Sequence, residues 1–220
     1  MVIERNGEKY HISDSNKKLK PNKTTAFLIW NLPAVVTCPY RTAHCEQFCY
    51  ARKSEKAYPS VLPARYDNFK ASRSSDFVKV MTEIIVNKAR KTRKEKLVVR
   101  VHESGDFYNR AYAMAWLEIA RRVAKETKDF HTSVQFIAYS KSFVFFDSVT
   151  FPENFSLRAS LWDDTKPEQI SIVLRNNWAI YTAVKRFTKQ DTFHQCRCED
   201  CAGCAKCWDA SVPDIRCEIH

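Results

Sequence analysis

The sequence predicts an α/β fold, either a partial (β/α) barrel or a mainly parallel sheet, with a cysteine-rich C-terminal tail that binds metal. Two observations predict it: strand, loop and helix patterns alternate along the chain, and nine cysteines fall largely into two groups. Such alternation is typical of βαβ units, whose strands run parallel. We divide the chain into residues 1–24, an irregular basic arm, residues 25–190, the α/β core, and residues 191–220, the tail packed on the core.

The spacing of apolar residues defines the elements in order. Ala26 to Trp30 and Leu97 to Val101 are short apolar runs and are predicted as strands. Apolar residues at helical spacing predict one helix beginning after Ser74 or Ser75 and another around Trp116. Further strands are predicted at 133–139, 155–161, 171–174 and 179–184.

The chain contains three glycines, where average usage would give about fifteen. This scarcity excludes the glycine-rich dinucleotide and phosphate loops. We expect the remaining glycines where the backbone needs a positive φ or a close approach. Gly105 follows the strongest strand and Gly203 lies within the tail, so both are expected near the same end of the fold, beside metal.

Thirty-six Lys and Arg residues against twenty-five Asp and Glu give a formal net charge of +11. The excess is densest at residues 17–20 and 88–96, and it fits either a solvated basic surface or a nucleic-acid partner bound through its phosphates. No apolar run approaches the roughly eighteen residues of a membrane-spanning helix, and residues 1–10 are too polar for a signal peptide. We therefore expect no membrane partner and a cytoplasmic location.

The first cysteine group comprises Cys38, Cys45 and Cys49, within residues 37–50, which we call the cysteine loop. Three soft thiolate donors from one loop suit an iron–sulfur cluster or zinc. Tyr50, directly after the third cysteine, is placed to shield such a centre or to join the core. Metal explains these cysteines better than disulfide bonds do in a chain without an export signal.

The tail carries the second group of five cysteines, which are Cys196 and four predicted metal ligands at a regular three-residue spacing. The four ligands are Cys198, Cys201, Cys204 and Cys207. This spacing suits a [4Fe–4S] cluster and a zinc site equally. Three plus five cysteines fill two four-ligand centres if one tail cysteine serves the cysteine loop. Alternatively, the cysteine loop holds a three-cysteine cluster with an open iron, and the tail forms a separate site. His44 and His194 flank cysteines as candidate replacement ligands or supporting groups, and Cys217 is expected to be a small buried residue.

His102, Glu103 and Asp106 place three titratable side chains within residues 102–108, which we call the acidic turn, directly after the strand at 97–101. General acid–base catalysis, or contact with an amine or a ribose, is the functional interpretation. The structural alternatives are a helix cap for Asp106 and a hydrogen-bonded core position for His102. Parallel sheets bind ligands beyond the carboxyl ends of their strands, so we expect the acidic turn to meet the cysteine loop.

Three blocks of the sequence together resemble the phage "gene product eighty-eight" family. The blocks are Thr37-Cys38-Pro39 through Cys49-Tyr50-Ala51, His102 through Tyr108, and Cys204-Ala205-Lys206-Cys207-Trp208. The resemblance spans about residues 25–208. It implies a phage, plasmid or other mobile-element setting, and hence a location in the host cell and a host protein as a further partner.

The chain is more loosely similar to the radical S-adenosylmethionine enzymes. Cys38, Cys45 and Cys49-Tyr50 match the cluster loop of those enzymes, and Ser104-Gly105-Asp106 matches the turn that holds the cofactor's amino group. The resemblance implies a [4Fe–4S] cluster with S-adenosylmethionine as cofactor, bound by that turn and Tyr50. The cysteine spacing differs from the family pattern, and the turn has one glycine and an aspartate.

The leading hypothesis is a radical-SAM-like iron–sulfur protein that acts on or with nucleic acid, in which the acidic turn positions the substrate or cofactor. The alternative is a zinc-stapled protein without catalysis that binds nucleic acid or interferes with a host defence. In that alternative residues 88–96 contact phosphates, and Tyr40, Phe48 and Tyr50 stack on bases. Thiol catalysis is disfavoured, because shared metal explains clustered cysteines better.

Overall fold

The computed structural model describes residues 1–184, 193–197, 199–209 and 211–218, which contain one nine-stranded sheet. The strands are Val2–Arg5 (β1), Glu8–Ser13 (β2), Thr25–Trp30 (β3), Lys96–Val101 (β4), Ser133–Ser140 (β5), Phe155–Leu161 (β6), Ile180–Val184 (β7), His194–Cys196 (β8) and Asp214–Glu218 (β9). The α-helices are Ala43–Gln47 (α1), Tyr50–Ala57 (α2), Val61–Ala71 (α3), Phe77–Lys91 (α4), Arg110–Glu126 (α5), Pro167–Arg175 (α6) and Cys201–Cys204 (α7). Two 3₁₀ helices span Ser142–Phe146 and Lys206–Trp208.

The sheet has the strand order β1-β2-β3-β4-β5-β6-β7-β9-β8. The pairs β1–β2 and β2–β3 are antiparallel, and the pairs from β3–β4 through to β9–β8 are parallel. The predicted α/β fold with a mainly parallel sheet is therefore confirmed. Right-handed crossovers that step in one direction place their helices on one face of the sheet, and α4 and α5 share a core on that face.

Residues 1–24 are not irregular throughout, in contrast to the prediction. β1 and β2 form a hairpin closed by Asn6 and Gly7, whose φ values are +52° and +77°. An Asn-Gly pair suits a two-residue hairpin loop because both residues accept this backbone conformation. β2 buries Tyr10 and Ile12 and pairs with β3, so the arm extends the sheet.

The predicted strands after the arm agree with the structure, with one exception. The segments 26–30, 97–101, 133–139, 155–161 and 179–184 correspond to β3, β4, β5, β6 and β7. The predicted strand at 171–174 is wrong, because this segment lies within α6. Pro167 starts that helix with a backbone angle suited to its first turn. A four-residue apolar run is too short for its period to separate strand from helix.

Alternate residues of the strands contribute to two separate cores. On β4, Leu97 and Val99 belong to the core beneath α4 and α5, whereas Val98 belongs to the opposite face, which we call the inner face. The inner-face core contains Leu19, Phe27, Ile29, Val98, Ile137, Ala202 and Trp208. The arm and the tail thus cover the inner face, and the sheet is buried on both sides, as parallel sheets usually are.

Arg158 on β6 attaches the tail to the inner face. It is 2% exposed, and its guanidinium donates hydrogen bonds to four carbonyl oxygens of the tail. The acceptors belong to Lys206, Cys207, Asp209 and Pro213, at 2.6–3.3 Å. One side chain holds four carbonyls because arginine offers five N–H donors in a fixed fork.

Candidate functional site

The loops that follow β3 and β4 meet at the carboxyl edge of the sheet, as the sequence predicts. Oδ1 of Asn31 accepts hydrogen bonds from the backbone N–H groups of Glu103 (2.8 Å) and Ser104 (3.0 Å). The N–H of Leu32 donates to the carbonyl of Ser104, and the Ser104 hydroxyl donates to the carbonyl of Leu32, both at 2.9 Å. These bonds fix the acidic turn against the chain that leads into the cysteine loop.

Gly105 stands where the acidic turn comes closest to the cysteine loop. Its φ is +80°, and a Cβ at this position would lie 2.6 Å from both Leu32 Cβ and Thr37 Oγ1. Thr37 is buried and donates a hydrogen bond of 2.7 Å to the carbonyl of Pro33, so moving it aside would break that bond. This scarce glycine therefore marks both a positive φ and a close approach, as expected.

Gly105→Ala is expected to lower the free energy of unfolding by about 2–4 kcal/mol, because the new Cβ adds left-handed strain and overlaps Leu32 and Thr37. Gly7→Ala is the matched control, since Gly7 has a similar φ of +77° but a Cβ there meets no atom within 4 Å. Urea unfolding is expected to show a loss of about 1–2 kcal/mol in the control. Equal losses in the two variants would mean that the close approach contributes nothing.

Asp106 joins the acidic turn to the end of β5. Its Oδ1 accepts from the Ser140 hydroxyl (2.6 Å) and the Phe107 N–H (2.8 Å), and its Oδ2 accepts from the N–H groups of Lys141 (2.9 Å) and Ser142 (3.1 Å). The residue is 5% exposed. Burial raises the pKa of Asp106, and these hydrogen bonds offset the rise only in part. The contacts account for Asp106 as a structural group, and its catalytic role stays a prediction.

The imidazole of His102 lies among aromatic rings of the core. Its ring centroid is 4.8 Å from that of Phe107 and 5.7 Å from that of Tyr112, and Nε2 hydrogen-bonds the Tyr112 hydroxyl at 2.9 Å. His102 is 3% exposed, and burial, reinforced by Arg100, lowers its pKa to about 3. This is the core position that the sequence left open as an alternative, and the catalytic role of His102 stays a prediction.

The buried neutral His102 makes the fold sensitive to acid. Its pKa is about 6.5 in an unfolded chain and about 3 in the fold, so the unfolded state binds the extra proton. Stability is full above about pH 6.5 and falls by up to about 1.4 kcal/mol per pH unit as the pH drops below it. His102→Asn, which tolerates the φ of +65°, is expected to remove this slope. Urea unfolding midpoints determined at a series of pH values measure this slope.

His131→Asn is the matched control for the acid slope, because His131 is exposed in the loop before β5. The slope is expected to stay as in the parent chain. If His102→Asn also keeps the slope, other groups drive acid unfolding and the assignment to His102 is wrong.

Cys38, Cys45 and Cys49 line one cavity of about 180 Å³ at the carboxyl edge, which we call the loop cavity. Cys45 lies in α1, whose N-cap is Thr42, and Cys49 is the N-cap of α2, so two short helices position them. Burial raises the pKa of the Cys38 and Cys45 thiols, although Lys141 acts in the opposite direction on Cys45. A metal bound by these groups would release protons, because thiolates are the ligands.

Lys141 places a cation in the loop cavity, directly after β5. Its Nζ donates a hydrogen bond of 2.9 Å to Ser160 Oγ and lies 5.4 Å from the ring centroid of Trp162. The Phe48 ring stacks on Trp162 at 6.2 Å between centroids. Sequence reasoning missed Lys141, although its position after a buried strand is the signal that singled out the acidic turn.

The tail cysteines line a second cavity of about 340 Å³, which we call the tail cavity. Its lining includes Cys196, Cys201, Cys204, Cys207 and His194. Nε2 of His194 lies 3.6 Å from Sγ of Cys204. Of the predicted ligands, Cys198 lies outside the described residues. Cys196, which was not among the predicted ligands, is brought to the cavity by β8.

α7 presents Cys201 and Cys204 and begins at the N-cap Asp200. Oδ1 of Asp200 accepts a hydrogen bond of 3.1 Å from the N–H of Gly203. Gly203 has no positive φ, but a Cβ there would overlap Oδ2 of Asp200. This glycine therefore permits the cap that starts the helix bearing two cysteines.

A third cavity of about 120 Å³, which we call the central cavity, adjoins the other two. With the tail cavity it shares Cys196, Cys201 and Cys207. With the loop cavity it shares Tyr50, Arg100, Glu103 and Tyr139. The Tyr50 hydroxyl donates to the carbonyl of Glu103, and the Glu103 carboxylate accepts from Asn16. The two cysteine groups thus line different cavities that are joined through a third.

Within the part of the chain that the structure describes, one set of three potential metal ligands has its ligand atoms within 4.8 Å of one another: His44, Asp163 and Asp164. Nδ1 of His44 is 2.6 Å from Oδ1 of Asp163, and Oδ2 of Asp164 accepts from the N–H of His44 at 2.9 Å. These bonds hold α1 against the segment after β6. The sequence singled out His44 but not the two aspartates, because their distance along the chain hides the contact.

The basic residues 88–96 lie away from the three cavities. α4 ends at Lys91 and β4 begins at Lys96. Residues 88–96 therefore lie at the edge of the sheet opposite the carboxyl end of β4. A nucleic acid bound there would be separate from the loop cavity. Tyr40, predicted to stack on bases, packs against Phe145 with 5.3 Å between ring centroids.

Comparison with known proteins gives partial relatives in mycobacteriophages. The "Gene 88 protein" of Mycobacterium phage D29 is 32% identical over 110 residues, which is 48% of this chain and 42% of that protein. The "Gene 88 protein" of Mycobacterium phage L5 is 33% identical over 110 residues, covering 48% of this chain and 43% of that protein. The matched region is thus less than half of either relative's length.

No solved structure gives a significant match to this chain. Among the described residues, no helix has the length and apolar character needed to cross a bilayer. The family model described as Gene product 88 matches residues 7–210. Because this match spans nearly the whole sequence, the chain belongs to the phage Gene product 88 family.

Proposed function

We propose that this protein holds an iron–sulfur cluster of the [4Fe–4S] type in the loop cavity through Cys38, Cys45 and Cys49. One observation carries the proposal: three thiols from one loop line one cavity at the carboxyl edge of a parallel sheet, where such folds bind ligands. Cysteine thiolates are the usual protein ligands of these clusters. Three cysteines leave one iron of such a cluster without a cysteine ligand.

The other walls of the loop cavity suit an anionic centre. Lys141 supplies a positive charge beside Cys45, and the stacked rings of Phe48 and Trp162 form an apolar wall on one side. The charge and solvent access around a metal centre influence its redox potential, as its ligands do. When bound, the cluster supplies one-electron redox chemistry, and these residues hold it and balance its charge.

S-adenosylmethionine binding at the acidic turn stays a prediction. The Ser104 hydroxyl donates to Leu32, and both oxygens of Asp106 accept hydrogen bonds from the protein. The acceptor positions of the Asp106 carboxylate are thus occupied by the protein, and the proposal includes no step through that cofactor. The net charge of +11 supports nucleic acid as the partner. The proposed function is a phage iron–sulfur protein that acts on or with nucleic acid.

Anaerobic reconstitution with iron and sulfide, followed by iron analysis and a visible absorption spectrum, tests the cluster. The parent chain is expected to bind about four iron atoms in the loop cavity, and replacing Cys38, Cys45 and Cys49 by serine is expected to abolish them. Cys217→Ala, in β9 and outside the lining of both cysteine cavities, is the control and retains the iron. A parent chain that stays iron-free and carries stoichiometric zinc would overturn the proposal.

The tail cavity favours a second candidate function, a zinc-stapled protein without catalysis that binds nucleic acid or interferes with a host defence. The observation is His194 Nε2 at 3.6 Å from Cys204 Sγ, in a cavity lined by three further cysteines. Mixed nitrogen and sulfur ligands are typical of structural zinc sites. Zinc in the tail is compatible with a cluster in the loop cavity, because the candidate ligands are different residues.

Nucleic-acid binding has a separate test. Fluorescence anisotropy of a labelled single-stranded oligonucleotide is expected to show binding that weakens steeply with salt, and Lys91→Glu with Arg93→Glu is expected to weaken it by about tenfold. Lys125→Glu with Lys128→Glu, also exposed, is the matched control. Unchanged binding in the first variant would mean that residues 88–96 are only a solvated surface.

A further inference from the structure

Two buried hydrogen-bond donors have no partner among the described residues and belong to two residues that line the same cavity. They are Nη1 of Arg100, on the inner face of β4, and Nε1 of Trp208, in the tail. Both residues line the central cavity. Buried polar groups are normally paired, because an unpaired one costs about 1–3 kcal/mol. Two unpaired donors at one cavity indicate an acceptor that belongs to a ligand.

Arg158 shows that the inner face is able to satisfy a buried guanidinium. Its donors reach four carbonyl oxygens of the tail. The guanidinium of Arg100 instead lies 3.7 Å from the ring centroid of Tyr139 and keeps Nη1 without an acceptor. Stacking on a ring fixes the plane of the guanidinium while its edge remains able to donate. Arg100 is therefore held in place for an acceptor that the protein does not supply.

The central cavity has aromatic walls and a positive lining. The rings belong to Tyr50, Tyr139, Tyr181 and Trp208. The charged residues are Lys18, Arg100 and Glu103. The two cationic side chains outnumber the single carboxylate, which also accepts a hydrogen bond from Asn16. The volume of about 120 Å³ approaches the roughly 150 Å³ of an apolar cavity that binds benzene.

We propose that the central cavity binds a small aromatic acid, whose anionic group accepts hydrogen bonds from Arg100 Nη1 and Trp208 Nε1. The rings provide surface for the aromatic part, and the two donors within a positive lining select an oxyanion over a neutral group. A carboxylate and a phosphate monoester share this chemistry. Arg100 and Trp208 are not candidate metal ligands, so the proposal is separate from the cluster proposed for the loop cavity.

Isothermal titration of the full chain with benzoate, phenyl phosphate and benzamide tests the ligand class. At least one of the two anions is expected to bind, and neutral benzamide is expected to bind at least about tenfold more weakly. Tighter binding of benzoate identifies a carboxylate, whereas tighter binding of phenyl phosphate identifies a phosphate monoester. Binding of neither anion, or equal binding of benzamide, would overturn the proposal.

Arg100→Met tests the anchor, because it removes the guanidinium but keeps an unbranched side chain. Affinity for the anion is expected to fall at least about tenfold, which corresponds to about 1.4 kcal/mol. The melting temperature is expected to stay equal or rise, since no unpaired charge remains buried. Trp208→Phe, which keeps a ring, is expected to weaken binding to a smaller extent.

Arg121→Met, on the exposed side of α5, is the matched control and is expected to bind the anion like the parent chain. An Arg100→Met variant that binds the anion like the parent chain would overturn the proposal. A variant that melts several degrees lower would do so as well, because Arg100 would then be a structural residue.

A thiolate–metal centre is the competing partner for Arg100, because Cys201 and Cys207 also line the central cavity. The titrations are therefore repeated on chain treated with a chelator, with iron and zinc measured in each sample. Anion binding retained after treatment supports the proposal, even if the iron–sulfur proposal fails. Binding that disappears with the metal, together with a lower metal content in Arg100→Met, would assign Arg100 to the metal centre and overturn the proposal.

Discussion

Replacing Asp106 with alanine is expected to lower the free energy of unfolding by about 3–5 kcal/mol, a large share of the roughly 5–15 kcal/mol that stabilises a native domain. The carboxylate accepts four hydrogen bonds, and alanine leaves all four donors without their acceptor. Three of these donors lie at the end of β5, so the change also frees the acidic turn from its neighbouring strand. Asp106→Asn keeps one acceptor oxygen and is expected to lose about half as much.

Urea unfolding followed by circular dichroism measures these losses. Asp129→Ala, at an exposed position after α5, is the control and is expected to change the stability by less than about 0.5 kcal/mol. If Asp106→Ala unfolded like the parent chain, the four hydrogen bonds would not explain the buried carboxylate. The acid–base role predicted from the sequence would then be the better explanation.

The second large effect is expected at Arg158. Arg158→Met removes four hydrogen bonds to tail carbonyls and is expected to cost about 2–4 kcal/mol and to loosen the tail from the inner face. Loosening exposes the backbone of residues 199–209, so limited proteolysis with mass spectrometry is expected to show faster cleavage there. The loss of stability in Arg158→Lys is expected to be smaller than in Arg158→Met, because an ammonium still offers three donors but lacks the planar fork of arginine.

Arg122→Met is the matched control for Arg158, because Arg122 bonds Glu118 on the exposed side of α5. The tail of the Arg122→Met variant is expected to be cleaved by protease as slowly as the tail of the parent chain. Slow tail cleavage in Arg158→Met would contradict the prediction and would assign the attachment of the tail to the pairing of β9 in the sheet.

The contact between the cysteine loop and the acidic turn was predictable, because it depends only on the parallel order of the strands. Adjacent parallel strands end at one edge, so the loops after β3 and β4 must be neighbours. The partners of Asp106 were not predictable. Ser140, Lys141 and Ser142 lie 34–36 residues further along the chain and follow an ordinary strand pattern.

Arg158 illustrates a different limit of sequence reasoning. It lies between Leu157 and Ala159, and strict alternation along β6 predicts a solvent-facing side chain. The arginine is buried because the tail covers that face, with Cys207 among its acceptors 49 residues later. The residue pattern of a strand does not reveal that a segment much later in the chain packs on its exposed side.

The hairpin of residues 2–13 was within reach of the sequence, because Asn6-Gly7 is a strong hairpin signal. The signal was missed since β1 leaves most of its residues exposed and therefore shows weak alternation. The core position of His102 was foreseen only as an alternative. A histidine that follows a strand is compatible with a functional site and with a buried core position. The aromatic residues that surround it in the fold place His102 in the core.

β9 lies between β7 and β8 in the sheet and pairs with both. A ribosome makes β7 and β8 before β9, so β8 has no sheet neighbour among the described strands until β9 has emerged. The segment that carries Cys201, Cys204 and Cys207 lies between β8 and β9 in the chain. β9 therefore closes the sheet last among the described strands, and it brings β8 and the segment with those three cysteines into place together.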